Sequence, residues 1–104
     1  MEIITGTTIY EIIKSFDAAN NPVVPASFSY EFYINGLTSL TPSLNISLSD
    51  ATNGSYTASF SSNTVGVHQF SVKNNTTSVI YCSNIYEVVY SSSTPSLATI
   101  YVGL

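Results

Sequence analysis

The 104 residues include no Arg and no Trp, one Cys, one His and one Met, and charged side chains make up only 8% of the chain. Each shortage excludes something. Lys14 and Lys73 are the only cationic side chains and the formal charge is −4, so no basic patch can neutralise phosphates, and no nucleic acid is expected as a partner. The same shortage argues against docking on an anionic membrane. No apolar run approaches the roughly 18 residues that a membrane-spanning helix needs. Cys82 is alone, which rules out an intrachain disulfide or a cysteine-based metal cluster. Within "SVIYCSNIYEVVY" it is expected to be a small buried hydrophobe. The N-terminal "MEIITGTTIYEII" has no basic region ahead of a long apolar run, so no secretory signal is expected and the chain reads as a single leaderless domain made in the cytoplasm.

Catalytic chemistry is equally short of material. The acids Glu2, Glu11, Asp17, Glu31, Asp50 and Glu87 are scattered, and no Ser/His/Asp spacing or paired metal-ligand pattern joins them to His68. The expectation is a chain that is not an enzyme, with no catalytic, cofactor-binding or metal-binding residues. His68 is expected to be a core or rim histidine holding one hydrogen bond.

What the chain does have is a polar half built from 18 Ser, 12 Thr and 9 Asn, alongside 44% hydrophobic residues. That apolar content is too high for a disordered segment, and the length is enough for one domain with a core of its own. Strand-like alternation recurs along the chain. Phe28, Tyr30, Phe32 and Ile34 alternate with Ser29, Glu31 and Tyr33, and Asn35-Gly36 closes that run with a turn. Leu44, Ile46 and Leu48 share a face, as do Tyr56, Ala58 and Phe60, and then His68, Phe70 and Val72. Turn residues bound each run: Asn20-Asn21-Pro22, Asn53-Gly54, Asn63 to Gly66, and Lys73-Asn74-Asn75. Seven runs emerge, at about 7–16, 27–35, 43–49, 55–61, 66–73, 78–90 and 97–103. The sixth is expected to bend near Ser83-Asn84. Short strands at this spacing in a chain of this length predict an all-β antiparallel sandwich. Residues 1–104 form one domain in this reading, with 91–104 a Ser-rich loop and a terminal strand, either completing its own sandwich or donated to a neighbour.

Two stretches also carry a family resemblance. "FDAANNPVVPASFSYEFYING" resembles the first strand–turn–strand unit of bacterial and phage immunoglobulin-like modules, through Asp17, Pro22-Val23 and the alternating Phe28 to Ile34. Asn20 stands where the family usually has a turn glycine, an exchange that Asn tolerates because it accepts left-handed backbone. "NGSYTASF" and "VGVHQFSV" are similar to the paired Gly-x-Tyr strands of those modules, with Gly54-Ser55-Tyr56 matching fully and His68 in the aromatic position after Gly66. The resemblance implies an immunoglobulin-like antiparallel β-sandwich of about seven strands.

Two strands carry apolar residues on both faces. In "TTIYEIIKSF", Ile9 and Ile13 oppose Tyr10, Ile12 and Phe16. In "SVIYCSNIYEVVY", Ile80, Cys82, Tyr86, Val88 and Tyr90 are expected to line the core while Val79, Tyr81, Ile85 and Val89 face outward. Sheets of soluble monomers keep one face polar, and this chain has little charge with which to blunt an edge. Tyr81, Ile85 and Val89 are therefore expected to face a partner. With the resemblance and the composition, the expectation is a structural protein of a tailed-bacteriophage virion, similar in style to the auxiliary capsid proteins of crAss-like phages. It would be an auxiliary or decoration protein on the capsid surface, in contact with the major capsid protein and other virion proteins, with room for self-association on the particle. The alternative is an adhesion or glycan-binding immunoglobulin-like module on a tail fibre or cell surface; the lack of Trp, the usual sugar-stacking residue, weighs against it.

Overall fold

The computed structural model describes residues 1–90. Nine strands follow in chain order: β1 (Glu2–Ile4), β2 (Thr8–Lys14), β3 (Phe28–Ile34), β4 (Leu37–Ser39), β5 (Asn45–Asp50), β6 (Ser55–Ser61), β7 (Gly66–Asn74), β8 (Ile80–Cys82) and β9 (Tyr86–Val89). One sheet runs β1-β9-β7-β3-β4, with β8 also paired to β7, and the other runs β2-β6-β5. The sheets pack face to face as an all-β sandwich. Five of the expected runs are single strands, and the sixth, over 78–90, is divided into β8 and β9. The run at 97–103, like the whole of 91–104, lies outside the described residues. β1 and β4 were not expected, because three residues are too few to display an alternation. The pairing is also not wholly antiparallel as expected. β1 lies parallel to β9, with Ile3 opposite Val88, before the chain crosses into the second sheet at β2.

Local chemistry sets the turns. β3 and β4 are joined by Asn35-Gly36 alone, with Ile34 opposite Leu37 and φ of 52° and 82° at the two turn residues. Positive φ at both positions defines the hairpin turn whose twist matches its strands, and Asn-Gly is its favoured pair. Gly54 is required for space as well as for its φ of 60°: a Cβ there would lie 2.5 Å from the Ser15 carbonyl oxygen. Asn20 takes the left-handed backbone expected of it, with φ of 67°.

The core lies between the sheets. Opposed pairs Phe32–Phe70 and Ile34–His68 on β3 and β7 face Tyr56, Ala58 and Phe60 of β6. Phe32 and Phe60 meet edge-to-face across the sandwich, ring centroids 4.9 Å apart, and Phe28 meets Tyr56 in the same way at 4.8 Å. Such contacts add about 1 kcal/mol each beyond the burial of the rings.

The segment after β7 departs from simple alternation. Ser71 is opposite Cys82, but His68 is opposite Tyr86. Three residues therefore lie between Cys82 and Tyr86 where the partner strand has two, which is a one-residue β-bulge. Every inward position before it becomes outward after it. The bend expected at Ser83-Asn84 is present, and its effect on phase corrects three assignments. Cys82 is exposed rather than a buried hydrophobe, and Ile80 is exposed rather than in the core. Tyr81, expected outside, packs against the core. Tyr90, just past the end of β9, is also exposed rather than in the core.

Candidate functional site

The bulge and β2 together build the most unusual polar cluster of the molecule. β2 turns Ile9, Glu11 and Ile13 inward, with Ser15 buried just past its end, so a carboxylate enters the interior between two isoleucines. Glu11 is buried, at 7% exposure. Its Oε1 accepts from the Tyr81 hydroxyl at 2.5 Å, while its Oε2 accepts from the Tyr86 hydroxyl and, at 3.1 Å, from the Asn84 backbone N–H. All three partners are donors, which suits an acceptor-only carboxylate, and no cation is among them. The phase change at the bulge is what lets Tyr81 and Tyr86, an odd number of residues apart, reach the same group. Burial first, and then the bond to Glu11, push both phenols up to about 12. At neutral pH both stay protonated and donate, so the cluster ties β2 of one sheet to β8 and β9 of the other.

Ser83 holds the bulge open. Its hydroxyl accepts from the Phe70 N–H at 2.9 Å and donates to the Asn84 carbonyl at 2.7 Å, standing in for a missing ladder bond. Its own N–H donates to the Phe70 carbonyl at 2.9 Å, and the Gln69 side-chain amide donates to the Ser83 carbonyl at 3.2 Å.

His68 is fully buried and holds two hydrogen bonds rather than one. Nδ1 lies 2.9 Å from the Gly66 carbonyl, which can only accept, so Nδ1 carries the proton. Nε2, 2.8 Å from the Ser62 hydroxyl, is then the acceptor. A Ser–His pair at this distance has the spacing of a nucleophile and its base. Here the ring is stacked on Phe60, 6.3 Å between centroids, and meets Phe32 edge-on at 5.9 Å. The nitrogen that would need an orienting carboxylate is spent on a backbone carbonyl.

A third polar link completes the interior. The Asn74 amide donates to the Ser15 hydroxyl at 2.9 Å, and that hydroxyl donates to the Val23 carbonyl at 2.8 Å. Among the described residues, every buried side-chain nitrogen and oxygen has a hydrogen-bond partner. No group of three or more His, Cys, Asp or Glu comes together among them. A surface groove of about 390 Å³ beside β4 is lined by Tyr30, Glu31, Phe32, Thr38, Ser39 and Leu40, with Glu31 its one titratable acid. In comparisons with family models, curated proteins and solved structures, nothing matches this chain.

The outer face of the sheet β2-β6-β5 is nearly uncharged. Its registers place Tyr10, Ser59 and Asn45 in one row and Ile12, Thr57 and Ser47 in the next. Tyr10 is 68% exposed and Ile12 51%. Charge enters only at one end, where Lys14, bonded to the Ser55 hydroxyl at 2.8 Å, and Asp50 flank the same row. The opposite face of the molecule carries Glu2, Glu31, Lys73 and Glu87, with Glu2 directly opposite Glu87.

The three residues expected to face a partner are not brought together. Tyr81 is turned in to Glu11, Ile85 is exposed at the bulge at 56%, and Val89 is half-buried on β9. The cluster that sequence reasoning missed centres on Glu11. Its signal was a lone acid at an inward position of the alternation Ile9-x-Glu11-x-Ile13. Tyr10 and Ile12 were singled out as apolar residues on the second face of this strand, and that is where they lie.

Proposed function

We propose that this chain is a non-enzymatic structural protein of a bacteriophage particle, an auxiliary or decoration protein seated on the shell of major capsid protein at the virion surface. The observation that carries the reading is how the polar groups are divided. The interior carboxylate, hydroxyls and imidazole are consumed inside the fold: Glu11 and the Ser62–His68 pair tie one sheet to the other, and Ser83 holds the bulge. What is left outside is a nearly uncharged face of Tyr10, Ile12 and hydroxyl rows, a surface suited to docking on another protein rather than to chemistry. The order β2-β6-β5 packed on β9-β7-β3-β4 supports an immunoglobulin-like reading of the sandwich. The phage setting is supported by the resemblance carried by Asp17, Pro22-Val23 and Gly54-Ser55-Tyr56, and by the composition.

Tyr10 and Ile12 replace Tyr81, Ile85 and Val89 as the face proposed to meet the capsid. A pull-down on purified particles tests this with the double variant Tyr10→Ser, Ile12→Ser. Binding should fall at least tenfold, about 1.4 kcal/mol, while far-UV circular dichroism stays native. Equal binding by both proteins would place the contact elsewhere. A native protein that sediments entirely apart from particles would end the capsid reading, and a Tyr10-dependent shift on a glycan surface would favour an adhesion module.

A further inference from the structure

The hold of β1 on the rest of the sandwich is narrow. Its residues read exposed, buried, exposed, so Ile3 is the one side chain it gives to the core. Its register on β9 is three residues long: Glu2 opposite Glu87, Ile3 opposite Val88, Ile4 opposite Val89. At the ends of that ladder the Glu87 N–H donates to the Met1 carbonyl at 2.7 Å, and the Thr5 N–H donates to the Val89 carbonyl at 2.9 Å. One residue on, the Gly6 N–H donates to the Ser62 carbonyl at 2.9 Å, so the chain has already crossed to the other sheet. Gly6 makes that crossing at φ of 84°, in the left-handed region that glycine enters freely. Residues 1–5 thus form a strap with one apolar anchor at its centre and a glycine pivot at its end.

Charge works against closure of this strap. Glu2 and Glu87 are both exposed, and directly opposite each other they destabilise the pair that they join. Among the described residues no other register pair has two charged members: Glu31 faces Ser71, Lys73 faces Ser29 and Ile80, and Lys14 and Asp50 both face Ser55. Neither lysine relieves the conflict. Lys14 lies on the other sheet, bonded to Ser55. Glu87 is opposite Val67 on β7, and Lys73 is six residues further along that strand, about 20 Å away and beyond the screening length of physiological salt. The sequence after Tyr90 contains no cationic side chain, so this balance holds wherever those residues lie. The Met1 ammonium, the positive group at this end, donates to the Ile85 carbonyl at 3.4 Å. We propose that β1 is a detachable strap, opening about Gly6 while the sandwich behind it stays closed, and that the repulsion between Glu2 and Glu87 sets how often it opens. A cation brought to the pair, from salt or from a basic partner surface, closes it.

The test is amide hydrogen exchange on the full chain at fixed pH, read at Thr5 and Glu87, whose N–H groups close the two ends of the ladder. Both should exchange faster than Ser83, bonded to Phe70 in the same sheet, and Ser15, bonded to Gly54 in the other. Their rates should stay level in dilute urea, where those of Ser15 and Ser83 climb with global unfolding. Glu2→Gln should slow Thr5 and Glu87 about threefold, and Glu2→Lys, which sets a cation opposite Glu87, about tenfold. Neither substitution is next to those amides, so their intrinsic rates are unaltered. Raising sodium chloride from about 20 mM to about 500 mM should slow both amides in the unmodified chain and leave them level in Glu2→Gln. If Thr5 and Glu87 exchange as slowly as Ser15 and Ser83, β1 leaves only with the whole fold and there is no strap. Rates at Thr5 and Glu87 that ignore both the substitutions and the salt would overturn charge as its control.

Discussion

Two strands in this molecule carry apolar residues on both faces, and the fold treats them in opposite ways. In the segment β8–β9 the second apolar set is largely an effect of phase. One extra residue at Ser83–Ile85 turns Tyr81 in on one side of the bulge and Tyr86 and Val88 in on the other. β2 is regular throughout, and its second set, Tyr10 and Ile12, does stand outside. Identical patterns thus arise from a hidden bulge and from a surface with work to do. The polar residues beside them tell the two apart: Ser83-Asn84 interrupts the first, whereas the second keeps its alternation from Ile9 to Ser15. The strands also meet, because Glu11 of β2 is the acceptor for Tyr81, Asn84 and Tyr86 of the bulged segment.

The sharpest way to break the comparison is to remove that meeting point. Glu11→Ala leaves two buried hydroxyls and one N–H without their acceptor, at about 1–3 kcal/mol for each group. A loss of about 4 kcal/mol is expected in urea unfolding, a large part of the stability of a domain of this size. The combined variant Glu11→Leu, Tyr81→Phe, Tyr86→Phe removes donors and acceptor together and should recover most of the loss. A single Glu11→Ala variant with an unchanged midpoint would mean that the cluster does not hold the sheets.

Alkali should loosen the same link without a mutation. Both phenols have folded values near 12, raised from an ordinary value of 10. A raised value means that the folded state keeps its protons where the unfolded chain loses them. The contribution is therefore whole below pH 10 and is lost as pH rises from 10 to 12. For Tyr86 alone the two-unit difference corresponds to about 2–3 kcal/mol. The midpoint of urea unfolding should be level between pH 8 and 9.5 and fall above it, and the fall should shrink in Tyr81→Phe, Tyr86→Phe. An equal fall in that variant would assign the alkaline loss to other groups.

Legibility in the sequence followed the regularity of the backbone. β6 and β7 keep a period of two over seven and nine residues, and their inward sets, from Tyr56 to Val72, are those the alternation marks. β3 buries Phe32 but leaves Tyr30 exposed, and β5 shifts register between Leu48 and Asp50 and leaves Leu48 exposed. Asn35-Gly36 and Asn20 announced their turns because positive φ suits few other residues. β1 and β4 are too short to alternate, and each exists through its partner's edge. The error at Cys82 and Tyr81 has a single origin. A bulge inverts the faces downstream of it, so reading phase backwards from Tyr86 and Val88 assigns Ile80, Tyr81 and Cys82 to the wrong side. The Glu11 cluster stayed hidden for the same reason, since its two tyrosines share a face only once the extra residue is counted. The Ser62–His68 pair, six positions apart, joins the residue just past β6 to β7, and only the packing of the two sheets brings them together.

Ser83→Ala asks whether the bulge is held by its own hydroxyl or by the packing around it. The Ser83 Oγ is the acceptor for the Phe70 N–H, a buried group with no other partner in the ladder at that point. Alanine keeps the small side chain and the backbone bond from the Ser83 N–H to the Phe70 carbonyl, and removes only the acceptor. The expected cost is about 1–2 kcal/mol, the smallest of the three, because the bulge retains Tyr81, Tyr86 and Asn84 on Glu11. Tyr81 and Tyr86 should keep their alkaline titration in ultraviolet difference spectra, since both rings remain buried. If Ser83→Ala instead brings the phenols back toward 10, the phase itself has slipped, and the hydroxyl rather than the Glu11 cluster is what distinguishes the bulged strand from the regular one.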